Sequence, residues 1–220
     1  RGSRHMIEPS KLVAGSKAVY GEEVFNKLYG DIVGIDKDRV LITRDEQEMH
    51  FGSRTFRFLH TEGHARHHHC IVDSESGGIF TGDSFGISYR ELDTRAGEFI
   101  FPTTTPVHFD PDAAHATIDR LMNLAPTRLY LTHFSEVRDL QRLASDLHTC
   151  LDHFVGLAKT HGNADQRHQR IESAMYAFLS ERLDAHGFAQ DEDRRHAILD
   201  LDCDLNTQGL LHWFDQQQAH

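Results

Sequence analysis

The chain has 220 residues, 39% of them hydrophobic, which is enough for a real core in one large domain or one domain with an extension. Its formal charge of -11, from 34 acidic against 23 basic residues, excludes a general nucleic-acid binder, because a phosphate backbone needs a basic footprint; the 18 histidines alter that only at low pH. Cys70, Cys150 and Cys203 are few and far apart, so neither a disulfide framework nor a thiolate zinc knuckle is expected. A reducing cytoplasm fits them best, and no apolar run approaches the length of a transmembrane helix.

The start, Arg1 to Met6, resembles a cloning scar in part, but Arg4 to Leu12 reads as native sequence. From Pro9 to Tyr29, Val24, Phe25 and Leu28 stand at helical spacing, and short helices near a site mouth are expected. Val40 to Ile42, Glu48 to Phe51 and Thr55 to His60 read as strands, with Gly52-Ser53 turning a hairpin between the last two. Cys70 to Asp73 and Gly78 to Thr81 make another strand pair around the turn residues from Ser74 to Gly78. Asp110-Pro111 is a helix start, with a capping carboxylate and Pro at the first helical position. Ala114, Ile118, Leu121, Met122 and Ala125 share the apolar face of that helix, and a strand from Arg128 to Leu131 follows Pro126.

After Glu136 the texture becomes helical. Leu140, Leu143, Leu147, Leu151, Phe154 and Leu157 form one stripe, and Ile171, Met175, Phe178, Leu179 and Leu183 a second; Ile198, Leu201, Leu205, Leu210 and Trp213 mark a last helix. Residues 137–220 are therefore expected to be a helical extension packed on residues 1–136. Whether it shapes a substrate pocket or a homodimer interface stays open at this level.

Three fragments carry chemistry: Thr61-Glu62-Gly63-His64, Thr81-Gly82-Asp83 and Leu131-Thr132-His133. Each places an imidazole or a carboxylate where a strand gives way to a loop, and such groups are the usual protein ligands of a catalytic zinc-type ion. Asp83 alone would read as a turn carboxylate after Gly82, and His64 alone as one histidine in the His-rich run to His69; together with His133 they read as a metal site. Arg66 and Tyr89 flank the fragments and are candidates for touching substrate. His148-Thr149-Cys150-Leu151-Asp152-His153 has the look of a further metal motif, but it lies inside a helical stripe, where His148 and Asp152 are expected to form an exposed i,i+4 pair. Asp200, Asp202 and Asp204 open like a calcium loop, yet Leu205 stands where Gly is needed and Leu211 where a bidentate Glu is needed. There is no Gly-x-Ser-x-Gly elbow for a serine nucleophile.

The order and context of the three fragments resemble the metallo-β-lactamase fold superfamily, in its glyoxalase II-like branch, over roughly Arg1 to Val137; Glu62 replaces the Pro usual in the first fragment. The resemblance implies an α/β fold, the C-terminal half of an αββα sandwich. The family's upstream His-x-His-x-Asp-His loop is missing before His64, so the chain is expected to be a truncated part of a parent enzyme and inactive alone. In the family's pattern His64 serves one ion, His133 the other, Asp83 bridges both as the key catalytic carboxylate, and His68 supports them from behind. The cofactor implied is two divalent ions, zinc by default, with iron or manganese also suited. The activity implied is hydrolysis of an ester, lactone, thioester or amide of a small molecule by a metal-bound hydroxide, in the cytoplasm, with neither nucleic acid nor membrane as partner. Phosphodiester cleavage and redox chemistry occur in other branches; the acidic charge disfavours the first, and no flavodoxin-like segment supports the second. The rival from another class is a non-catalytic assembly protein with a degenerate site.

Overall fold

The computed structural model describes residues 2–104, 108–133 and 135–219; Arg1, where the N-terminal reading begins, lies outside them. Two compact units are present, Arg1–Asp45 and Glu46–His220.

In the first unit the expected short helices form as α1 (Ser3–Ile7), α2 (Ser10–Tyr20) and α3 (Glu22–Tyr29). Gly21, at φ +80°, separates α2 from α3. Phe25 is buried, with the Tyr29 ring 5.2 Å away and the Lys17 ammonium 5.6 Å from its centroid. The strand expected at Val40 to Ile42 does not form: the segment follows a short 3-10 turn at Lys37–Arg39, no partner strand is recorded for it, and Leu41 and Ile42 are exposed. An apolar triplet becomes a strand only where an edge accepts its backbone.

The second unit holds a six-stranded sheet of β1 (Gln47–Phe51), β2 (Arg54–His60), β3 (His69–Asp73), β4 (Gly78–Gly82), β5 (Arg128–Leu131) and β6 (Ser135–Val137), ordered in space as in sequence. All pairs are antiparallel except β4 with β5, which are parallel. A parallel pair needs a crossover, and α4 (Pro111–Asn123) supplies it. As expected, Asp110 caps α4 by accepting the Ala113 N–H at 3.0 Å, and Pro111 sits in its first turn. Strand β6 was not anticipated, since its three residues carry no apolar alternation; they form a strand by pairing with β5.

The helices after β6 are α5 (Leu140–His161), α6 (Arg167–Ala185) and α7 (Glu192–Gln218). They belong to the same compact unit as the sheet. One apolar cluster joins Leu59, Ile79 and Leu129 of the sheet, Leu121 of α4, and Leu143, Phe154, Met175 and Leu210 of the later helices. The stripes read for α5 and α6 are buried except at Leu157 and Phe178, which are partly covered. For α7 the reading needs correction: Leu201 is exposed, while Ile198, Leu205 and Trp213 are only partly covered. The buried face instead carries Leu199, Cys203, Leu210 and Phe214 together with Asp202, Asn206 and Thr207. Asp202 and Asn206 occupy this face where Tyr89 and Thr104, in loops of the sheet side, satisfy them, so an apolar stripe could not locate it.

Candidate metal centre

Strands β2 and β4 both run antiparallel to β3, and β5 runs parallel to β4, so β2, β4 and β5 point the same way. Their C-terminal ends share one edge of the sheet, and the three sequence fragments are the segments leaving that edge. Residues separated by up to 69 positions along the chain thereby converge, as ligands do outside the carboxyl ends of parallel strands.

The loop bearing His64 is tightly fastened. Thr61 N–H donates to the His68 carbonyl at 3.2 Å, and His68 N–H to the Ala65 carbonyl at 3.1 Å. The Thr61 hydroxyl lies 3.0 Å from that of Ser84, tying this loop to the turn after β4. On the other side, Thr117 on α4 donates its hydroxyl to the Glu62 carbonyl at 2.7 Å, and Asp110 N–H to the Gly63 carbonyl at 2.9 Å. Gly63 has φ +126°, and a Cβ there would come within 2.5 Å of the Ala114 Cα. Only glycine permits both that backbone and that approach.

The side chains meet at Asp83. His64 Nε2 and His68 Nε2 each lie 3.5 Å from its Oδ2, while His133 Nε2 lies 3.4 Å from its Oδ1. His64, His68 and Asp83 offer ligand atoms all within 4.8 Å of one another. His64, Asp83 and His133 are thus brought together as the sequence suggested. His68, expected behind the site, reaches the carboxylate as closely as His64 does; its ring lies 3.2 Å from the position a Gly82 Cβ would take.

Three observations match this arrangement to a metal ion. The Asp83 Oδ1 is buried and accepts no well-formed hydrogen bond. The His64 Nδ1 is 2.9 Å from the Thr103 carbonyl, to which it donates, so Nε2 is the lone-pair nitrogen and faces Asp83. Two ligand atoms sharing a tetrahedral zinc lie about 3.3 Å apart, close to the spacings around Asp83.

The electrostatics agree. Burial lowers the His64 imidazole below its ordinary pKa against the pull of Asp83, and burial with the neighbouring His64 takes His68 down to about 4. Burial alone would raise Asp83, but its pairing with His133 and the attraction of His64 and His68 outweigh this and hold it below the usual carboxylate value. The same pairing raises His133. For His64 and His68, neutral imidazoles beside an ionised carboxylate are the protonation states that ligation requires, whereas His133 would have to give up its proton to bind.

Two supports were invisible in the sequence. Asn206 on α7 accepts the Thr104 N–H on its side-chain oxygen at 2.7 Å, and its own carbonyl accepts the Thr104 hydroxyl at 3.0 Å. This clamps the segment whose Thr103 carbonyl orients His64. Asp202, also on α7, accepts the Tyr89 hydroxyl at 2.8 Å; burial raises its pKa and the charge of His133 opposes that rise. Tyr89 therefore has a structural partner, whereas sequence reading left it as a candidate for substrate contact. The three carboxylates of the calcium-like run disperse, Asp200 to His196 at 2.8 Å and Asp204 to His168 at 3.0 Å, with Asp202 buried on Tyr89.

The profile of the metallo-beta-lactamase superfamily matches residues 5–133, more than half of the chain. The chain belongs to the metallo-beta-lactamase superfamily. Among curated proteins it is similar to the metallo-beta-lactamase fold-containing protein ST1585 of Sulfurisphaera tokodaii, 28% identical over 124 residues, covering 56% of this chain and 43% of the relative. The chain thus spans less than half the length of that relative. Among solved structures, ST1585 from Sulfolobus tokodaii superposes with TM-score 0.61 at 22% identity, over 94% of this chain and 66% of the other. The metallo-beta-lactamase family protein TTHA1429 from Thermus thermophilus gives TM-score 0.56 at 16% identity, over 100% and 64%. These similarities show the fold. Superfamily membership thus goes together with a cluster, His64, His68 and Asp83, able to hold a metal ion. Among the described residues no helix is long and apolar enough to cross a membrane.

Proposed function

We propose that His64, His68, Asp83 and His133 ligate a divalent metal centre, zinc by default with iron or manganese also suited, and that the whole protein hydrolyses an ester, lactone, thioester or amide. The observation that carries this reading is Asp83, a part-buried carboxylate ringed by three imidazoles at 3.4–3.5 Å. A divalent cation held there supplies Lewis acidity, which acidifies water and polarises a carbonyl. Asp83 brings the negative charge that offsets the cation, with His64 and His68 on one oxygen and His133 on the other. That division suits a carboxylate shared by two ions. Thr103 holds the His64 tautomer, and the Thr61–Ser84 contact holds the spacing of the two loops.

The substrate class rests on the superfamily and the donor set. Three free, buried cysteines support a reducing, cytoplasmic setting. A homodimer through α5–α7 is the partner arrangement we favour. The rival, an assembly protein with a remnant site, draws on one fact: the 220 residues contain no His-x-His-x-Asp-His, so His133 and Asp83 are the ligands seen for a second ion.

The test is elemental analysis of this chain, of a version extended upstream of Arg1, and of both with Asp83→Ala. More metal in the intact chains than in the mutants, with ester, thioester or lactone hydrolysis tracking the difference, is expected. Binding no greater than in the mutants would favour the assembly reading.

A further inference from the structure

A second cluster of ligand-type side chains lies between α4 and α5. His115 and Asp119 stand four residues apart on α4, as do His148 and Asp152 on α5, so each helix presents its pair on one face. The expected contact of His148 with Asp152 is not made. Instead His115 Nδ1 lies 2.6 Å from His148 Nδ1, the two rings meeting edge to edge, parallel within 1° with centroids 4.9 Å apart. The outer nitrogens face carboxylates across the helix pair: His115 Nε2 lies 3.3 Å from Asp152 Oδ1, and His148 Nε2 lies 3.2 Å from Asp119 Oδ1.

This pattern determines where the ring protons sit. A carboxylate opposite each Nε2 calls for an N–H there, which leaves the lone pair of each neutral ring on Nδ1. Two lone pairs would then face each other at 2.6 Å, an arrangement that requires a cation between them, either a proton or a metal ion. We propose that His115 and His148 form a second metal site, a two-imidazole clamp that takes a late first-row divalent ion and bridges α4 to α5. Imidazole is a favoured ligand of such ions, and a carboxylate on the outer nitrogen is the support that metal-bound histidines use.

The rings are about one-quarter exposed, at 27% and 29%, so an ion can reach them. To accept zinc at about 2.0–2.1 Å from each nitrogen, the rings must part by roughly 1 Å, within the reach of χ rotations at a partly exposed position. His115 and Asp152 also line a polar cavity of about 410 Å³ with Glu62, Arg66 and Lys159 on its walls, which leaves room for water or a small anion to complete the coordination. This clamp shares no ligand with the centre at Asp83, so it stands or falls separately from the hydrolase reading.

The experiment uses the full chain carrying Asp83→Ala, in which the strand-end centre is disabled. Equilibrium dialysis against Zn²⁺ should retain one ion per chain, and the dissociation constant should rise at least about 10-fold in His115→Ala and in His148→Ala, and about 10-fold in Asp119→Ala. With Cu²⁺ as probe, electron paramagnetic resonance should resolve coupling to two imidazole nitrogens and fall to one when His148 is removed. Circular dichroism confirms that each variant is folded. If the Asp83→Ala background does not fold, the same His148→Ala comparison in the unmutated chain should lose one ion from the total. Zn²⁺ affinity unchanged by either histidine substitution overturns the proposal, as does retention of no ion, which would leave a shared proton as the only occupant.

Discussion

The edge of the sheet and the buried face of α7 both serve the metal centre, yet they are written into the chain in opposite ways. The sheet edge delivers His64, Asp83 and His133 through short segments leaving strands that run in one direction. Strand, turn and ligand are contiguous there, so a local motif survives. The α7 face acts from more than 100 positions away through Asn206 on Thr104, and it carries polar residues inside a core. Ligands are local in sequence; the groups that aim them are not.

Removing the shared carboxylate should have the largest effect. Asp83→Ala is expected to weaken metal binding by more than about 100-fold, above the range for outer-sphere partners, as read by chelator competition. The next strongest break is Gly63→Ala, which strains a φ of +126° and drives a Cβ toward α4. It should cost about 1–3 kcal/mol or more in urea unfolding and disturb the His64 loop, while Gly15→Ala, inside α2 with open space around it, should be neutral or stabilising by up to about 1 kcal/mol. A pair of similar outcomes would sink the claim that the sheet edge is held by close backbone approach.

Asn206→Ala sharpens the comparison from the other side. It leaves the buried Thr104 N–H without its acceptor, for a cost of about 1–3 kcal/mol, and should lower metal affinity about 10-fold with every ligand still present. Unchanged affinity would make α7 a packing element only.

His68 makes one contribution to the pH dependence, in the same direction as that of His64. Its folded pKa of about 4 lies below the ordinary 6.5, so the unfolded chain takes up this proton first. Its contribution to stability is therefore present above about pH 6.5 and is lost as pH falls toward about 4. Chelator-treated protein should unfold at lower urea as pH drops through this window, and His68→Phe should flatten the slope. The smallest effect is expected from Asp110→Ala, about 1 kcal/mol through loss of the α4 cap, seen in thermal unfolding without loss of metal.

Much of the second unit was legible from local signals. Alternation and turn residues located β2, β3 and β4, the Asp110-Pro111 start located α4, and helical stripes located the buried faces of α5 and α6. Val40 to Ile42 has strand-forming residues but forms no strand, because a strand requires a partner edge that its own residues do not encode. His148 was paired with Asp152 because both lie on one helix; the fold offered a second helix bearing His115 and Asp119 at matching height.

By itself the sequence determined which chemistry was on hand: imidazoles and a carboxylate at strand ends, an acidic surface, and helices after the last ligand. Only the tertiary structure decided that His68 stands level with His64 at Asp83, that Thr103 orients His64, and that α7 buries Asp202 and Asn206 against the loops around the site. The physical reason is range. Turn chemistry, capping and periodicity act within a few residues and leave a mark in the local sequence, whereas a buried polar group is stabilised by a partner anywhere in the chain, and its location is known only once the chain has closed around it.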